Sequence, residues 1–129
     1  MRRLLLDTHV LLWWLAGERR LGSEALRLLR SGRNAVFVSA ASAWEIAIKK
    51  AQGKLKAPRE DLDTVLAEEG FVPLPITVLH GELAGGLPAI HRDPFDRMLV
   101  AQARAEGLEI VTADPTIPRY GVPTVDAAA

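Results

Sequence analysis

Four carboxylates in this sequence sit where they could do chemistry together: Asp7, Glu45, Asp96 and Asp114. Asp7 closes the apolar run Leu4-Leu5-Leu6, and Asp114 closes Ile110-Val111-Thr112-Ala113. Asp96 stands in His91-Arg92-Asp93-Pro94-Phe95-Asp96-Arg97, at the start of a helical pattern. Glu45 falls a turn or more into the helix that comes after Ala35-Val36-Phe37-Val38. In an open parallel α/β sheet the carboxyl ends of the strands share one edge, and ligands bind there. Four acids gathered at that edge repel one another and raise each other's pKa unless a cation lies among them. A hard divalent ion with oxygen ligands, Mg²⁺ or Mn²⁺, is the natural occupant.

Each acid also has a purely structural reading. Asp93 fits a helix N-cap and Pro94 the first helical position, which puts Asp96 third, where a capping-box acid would reach back. Glu45 has Lys49 four residues on, the favourable order for an ion pair. Trp44, Ile46, Ala47 and Ile48 leave its helix little polar face, however, and a carboxylate there needs a partner. Asp114 precedes Pro115 and can open a turn. Asp7 can cap the helix after it, as can Thr8.

The elements that would position these residues alternate between short apolar strands and helices. Strands are expected at Leu4 to Leu6, Ala35 to Val38, Glu109 to Thr112 and Val122 to Val125, with an edge strand at Phe71 to Leu74 that tolerates Pro73. Val10 to Leu15 is apolar on every side and reads as a helix ended by Gly17. Ser23 is expected to cap a helix running to Arg30, and Ala41 to Ala51 a helix stopped by Gly53. Pro58 is expected to open a helix carrying Leu62, Val65 and Leu66 on one face. Ile76 to Leu83 forms a short helix, and Asp93-Pro94 opens one that Gly107 closes after Glu106. Gly85 to Arg92 is the loop long and polar enough to carry function, and Ala127 to Ala129 are expected to fray. Continuous apolar strands alternating with helices imply parallel strands covered on both faces. The fold expected is a single α/β domain over residues 1–129.

Composition narrows the function. Nearly half of the 129 residues are apolar, enough for one packed domain. The absence of cysteine removes disulfides, thiolate metal sites and thiol catalysis, and fits a cytoplasmic protein. Met1-Arg2-Arg3 followed by leucines mimics a secretion signal, but Asp7 and His9 interrupt the apolar run, so a buried first strand is the better reading and no membrane partner is expected. The formal net charge is zero, so nucleic-acid binding must rest on a local basic patch such as Lys49, Lys50, Lys54 and Lys56. A dehalogenase-type phosphatase needs a second Asp where His9 stands. A receiver domain needs a Lys after a late strand, and no Lys follows Val122. No phosphate-binding Gly-rich loop or Gly-x-Ser-x-Gly elbow occurs, and His9, His80 and His91 are dispersed in sequence, against a zinc site.

The sequence resembles the PIN-domain ribonucleases, in particular the VapC-type toxins of type II toxin–antitoxin modules. The residues that carry the resemblance are Asp7-Thr8-His9 with Leu11-Leu12-Trp13-Trp14; Ser39, Ser42, Trp44-Glu45-Ile46 and Lys49; Gly53-Lys54-Leu55; Leu87-Pro88 and His91 to Arg97; Ala101-Gln102-Ala103; and Thr112-Ala113-Asp114. They span nearly the whole chain and are specific as a set. By this resemblance Asp7, Glu45, Asp96 and Asp114 match the family's acidic quartet, with Thr8 and Thr112 at supporting hydroxyl positions. It implies a parallel sheet of four to five strands with Asp7 central, Mg²⁺- or Mn²⁺-dependent cleavage of RNA, homodimerisation, and inhibition by a small antitoxin.

On that reading Asp7, Asp96 and Asp114 are the expected metal ligands. Glu45 binds a second ion, orients the attacking water or acts through water, and sequence does not choose between one ion and two. Arg92 and Arg97 either hold the scissile phosphate or pair with Asp93 or a neighbouring acid. Lys49 is a candidate contact to the RNA backbone. The all-apolar segment Val10 to Leu15 implies a second apolar contact through Trp13 or Trp14, to a second copy or an antitoxin, unless both rings are ordinary core. The competing readings are a non-catalytic RNA-binding scaffold and a structure-specific DNA nuclease.

Overall fold

The computed structural model describes residues 1–56 and 60–129. Five parallel strands form one sheet: β1 (Arg3–Leu6), β2 (Ala35–Ser39), β3 (Val72–Leu74), β4 (Glu109–Thr112) and β5 (Thr124–Asp126). Their spatial order is β3-β2-β1-β4-β5. The chain builds outward from β1 to one side, then returns to lay β4 and β5 on the other. The order therefore reverses between β1 and β4, which opens a crevice at their carboxyl ends.

The central strand is buried on both faces. Leu4 and Leu6 point into one core with Val36, Val38 and Val111, while Leu5 points into the other with Ile110, Leu99 and Val100. Among the described residues six α-helices flank the sheet: α1 (Thr8–Ala16), α2 (Ser23–Arg30), α3 (Ala40–Ala51), α4 (Leu62–Glu69), α5 (Val78–Gly85) and α6 (Pro94–Glu106). Residues of α1, α2, α3 and α4 pack on the first core. The second core takes α6 and the 3-10 turn Ile117–Tyr120. Changing a leucine of β1 to Ala would leave a cavity, at about 2–5 kcal/mol. Among the described residues no helix is long and apolar enough to cross a membrane.

Several local expectations change. Ser23 is the first residue of α2 rather than its cap, and Gly22 in the cap position offers no side chain. The N–H groups of Glu24 and Ala25 instead reach the Ala129 carbonyl at 3.1 and 3.4 Å. The expected fraying of Ala127 to Ala129 is therefore overturned: Ala127 is fully buried, and its carbonyl accepts the Gly22 N–H. A Cβ on Gly22 would collide with the Ala129 backbone, so this close approach requires glycine. The helix α4 starts at Leu62 with Asp61 as its cap, and Pro58 lies outside the described residues. Thr77 and His80 form a capping box that starts α5 at Val78, two residues later than the apolar pattern suggests.

Candidate functional site

The carboxyl ends of β1 and β4 deliver Asp7 and Thr112 to the crevice side by side. Asp7 is only 4 % exposed. One of its oxygens accepts the Val10 N–H at 2.8 Å and caps α1, while the Thr112 hydroxyl donates to the other at 2.5 Å. The same hydroxyl accepts the Asp114 N–H at 3.0 Å, so Thr112 ties the two acids together across the strand ends. Burial pushes the Asp7 carboxyl up, against these hydrogen bonds. Its capping role and a place in the site are thus compatible, because each uses a different oxygen.

Asp114 also opens the turn its sequence suggests, accepting the Thr116 N–H at 2.8 Å. Burial works upward on its carboxyl, but the bonds from Thr116 and His91 outweigh it and hold the group below its usual range. Glu45 is buried on α3, and Lys49 meets its carboxylate at 3.0 Å. Thr8 donates to Ser42 at 2.9 Å, one turn before Glu45, and so joins the start of α1 to the helix that carries the fourth acid.

Asp96 departs from its capping reading. Asp93 caps α6, accepting the Phe95 and Asp96 N–H groups at 2.8 and 3.4 Å. A capping box would have Asp96 accept the Asp93 N–H, yet that N–H goes to His91 Nδ1 at 3.3 Å. The Asp96 side chain turns to the crevice, where its carboxyl is pushed up to about 7. Burial is the largest cause, followed by the charges of Asp93 and Asp7, with Glu45 adding to them and His91 opposing. All four acids therefore share one electrostatic neighbourhood: Asp96 feels Asp7 and Glu45, and Asp7 feels Asp114.

Sequence reasoning missed His91, whose distance from the other histidines argued against it. Its Nε2 lies 3.0 Å from Asp96 and 3.0 Å from Asp114, and the three side chains form a cluster with metal-ligand spacing. The Asp93 N–H facing Nδ1 assigns the ring proton to Nε2, so His91 here donates to both carboxylates. A ligating histidine directs its other ring N–H to an acceptor; this ring faces a donor instead. The geometry makes His91 a group that holds Asp96 and Asp114 together, with its backbone N–H bonded to the Tyr120 hydroxyl at 2.8 Å.

Arg97 neither faces the acids nor pairs with Asp93. Its guanidinium donates to the carbonyls of Ala84, Leu87 and Pro88 at 2.9, 3.0 and 2.9 Å, and at 3.4 Å to the His91 carbonyl and the Tyr120 hydroxyl. It clamps the loop that presents His91. Arg92 is exposed on a groove it shares with Glu45 and Phe95, and has no hydrogen-bonded or ionic partner among the described residues. The donor set, three carboxylates with a fourth beside Lys49, suits a hard divalent ion.

The model of the family described as PIN domain matches residues 4–123. No curated protein matches the sequence significantly. Among solved structures, the fold is similar to VapBC2 from Rickettsia felis bound to a DNA fragment from its promoter. The TM-score is 0.68 and the identity 15 %, over 95 % of this chain and 97 % of that one. It is also similar to a toxin–antitoxin complex from Klebsiella pneumoniae, with TM-score 0.65 and 21 % identity over 95 % and 96 %. FitAcB from Neisseria gonorrhoeae gives 0.63 and 18 % over 96 % and 97 %. With the family model covering nearly the whole chain, the protein belongs to the PIN domain family.

Proposed function

We propose that this PIN domain is a Mg²⁺- or Mn²⁺-dependent endoribonuclease that cleaves single-stranded or loop RNA and serves as the toxin of a cytoplasmic toxin–antitoxin pair. PIN domains are generally nucleases and generally use divalent metals. The observation that carries the reading for this chain is the gathering of Asp7, Glu45, Asp96 and Asp114 at the β1/β4 crevice, with Asp96 held up to about 7. Such an arrangement is unfavourable without a cation, and no buried lysine or arginine faces Asp7, Asp96 or Asp114 among the described residues.

Asp7, Asp96 and Asp114 would hold the ion, with Thr112 fixing Asp7 and His91 fixing the other two. Bound there, a divalent ion would supply a water nucleophilic at neutral pH and offset the charge of the phosphate. Glu45, held by Lys49 on the helix that the Thr8–Ser42 link joins to α1, would orient the attacking water or accept its proton. Asp96 must shed its proton before it binds a cation, so binding near neutral pH releases protons.

The partner half of the reading rests on apolar surface. In α1, Thr8, Val10 and Leu11 are buried, whereas Leu12, Trp13, Trp14 and Leu15 are only half-buried. Trp14 packs on Phe71 with ring centroids 5.5 Å apart, and its Nε1 donates to Glu69 at 3.0 Å. Trp13 lies under Arg20. Both rings serve the core on one side and face outward on the other, as an antitoxin groove requires. The similar Klebsiella pneumoniae structure is a toxin–antitoxin complex. Homodimerisation has its own support in the exposed Val78, Leu79 and Leu83 of α5.

The test is cleavage of single-stranded RNA by the purified chain. Cleavage with Mg²⁺ or Mn²⁺ that stops in EDTA and is absent from Asp7→Asn supports the reading. Binding without cleavage would make the protein a scaffold, and undiminished cleavage in chelator would rule out the metal mechanism.

A further inference from the structure

An aromatic pair joins the two helices that carry Glu45 and Asp96. Trp44 precedes Glu45 on α3, and Phe95 precedes Asp96 on α6. Their ring centroids lie 5.4 Å apart with the rings inclined at 72°, the edge-to-face arrangement aromatic pairs prefer. Phe95 is half-buried, but Trp44 is 64 % exposed. Neither apolar core includes it. Burying an indole is among the larger gains available to a fold, so an open one needs another explanation.

The surroundings point to a nucleotide. A groove of about 460 Å³ runs past Phe95, lined by the paired Glu45 and Lys49 of α3 and by Arg92 before α6. Arg92 has no partner among the described residues, so its guanidinium is free to meet an anion. An exposed aromatic face and an unpaired cation near the acids suit the base and the phosphate of an RNA unit. The exposed patch on α5 differs. Val78, Leu79 and Leu83 are aliphatic, and α5 contains no lysine or arginine.

We propose that Trp44, packed edge-to-face on Phe95 of the groove that Arg92 lines, is a nucleotide subsite: an unpaired base stacks on the indole while Arg92 meets the adjoining phosphate. The proposal rests on RNA being the substrate. It adds that the strand is gripped by a base with a free face, which a paired base inside a duplex cannot offer. Every base has such a face, so the subsite selects for single-strandedness rather than for sequence.

The experiment measures binding of a short single-stranded oligoribonucleotide to the uncleaving Asp7→Asn protein, alone and combined with Trp44→Ala or Trp44→Tyr. The solution mass of each variant and cleavage by the corresponding single variants are measured alongside. Trp44→Ala should weaken binding about tenfold, the loss of one base–aromatic stack, and Trp44→Tyr should restore most of it. Mass and fold should not change. Equal affinity in Trp44→Ala overturns the subsite. A changed mass with unchanged RNA affinity also overturns it, and makes Trp44 a contact between copies. If Trp44→Ala cleaves as well as the unsubstituted chain, the subsite falls while the nuclease reading stands. If the unsubstituted chain never cleaves but Trp44-dependent binding persists, the subsite stands and the nuclease reading falls.

Discussion

Asp96 and Arg97 are neighbours in α6, yet they face two polar clusters built on opposite principles. Arg97 turns inward to oxygens of Ala84, Leu87, Pro88, His91 and Tyr120, and every contact is donor to acceptor. Asp96 turns to His91, Asp7 and Glu45, where burial and neighbouring negative charge push its carboxyl up to about 7 and His91 alone opposes them. The first network is complete within the chain, as structural polar networks must be. On the proposed reading the second is completed by a divalent ion. Internal satisfaction therefore separates a residue that holds the fold from one that serves the site, even between adjacent positions.

The two clusters should respond in opposite ways to substitution. The largest effect expected is on cleavage: Asp96→Asn or Asp7→Asn should reduce it about 100-fold or more, beyond the loss typical for outer partners of a metal site. Chelated, metal-free stability of the same variants should be unchanged or higher by ~1 kcal/mol, because a repulsion has been relieved. Urea unfolding in EDTA checks this. Loss of the fold in Asp96→Asn would show that the residue belongs with Arg97 after all.

Arg97→Ala should do the reverse, lowering metal-free stability by about 2–3 kcal/mol as the loop carbonyls lose charge-assisted bonds. Its cleavage defect should come through displacement of His91, and cooling should recover part of it. A stable Arg97→Ala with no cleavage would move this arginine to the substrate.

The pH dependence sharpens the contrast further. The folded pKa of Asp96, about 7, lies above the ordinary carboxylate value near 3.8. Between those limits the folded protein holds a proton that the unfolded chain has released, so metal-free stability should fall as pH rises from about 4 to about 7. The direction of the Asp7 shift adds to this slope. Asp114, shifted down, contributes only below the ordinary range, where it favours the fold as pH rises. Asp96→Asn should flatten the slope between pH 4 and 7, and Arg97→Lys should leave it in place. Unfolding measured in EDTA across that range reads both.

The smallest effects belong to the tryptophans of α1. A polar residue at Trp14 should cost stability, since Trp14 packs on Phe71 and bonds Glu69. At Trp13 it should cost antitoxin affinity more than stability. If both variants lose only stability, the partner surface lies elsewhere.

Features written in side-chain patterns were legible in the sequence, and features set by the path of the main chain were not. Asp7 and Asp114 were legible because each ends an apolar strand, and α6 because Asp93, Pro94 and Gly107 mark its ends. His91 was not, since it reaches the acids through a loop whose path is set by the Arg97 clamp and Tyr120. Its position two residues before a cap was the available signal. Arg97 could not be placed because helical spacing does not tell which of two adjacent polar residues turns inward. The cap on α2 comes from a main-chain carbonyl of Ala129, which has no side-chain signature, and only Gly22 hinted at the close approach.

On the proposed reading Asp7, Asp96 and Asp114 bind a divalent ion. Calorimetric titration of Mn²⁺ into the chelator-stripped protein near pH 7, in two buffers of different ionisation heat, tests it most directly. Saturable binding with proton release is predicted, lost in Asp96→Asn and retained in Lys54→Ala on the exposed surface. Absent binding, or binding that Asp96→Asn leaves intact, would contradict the account.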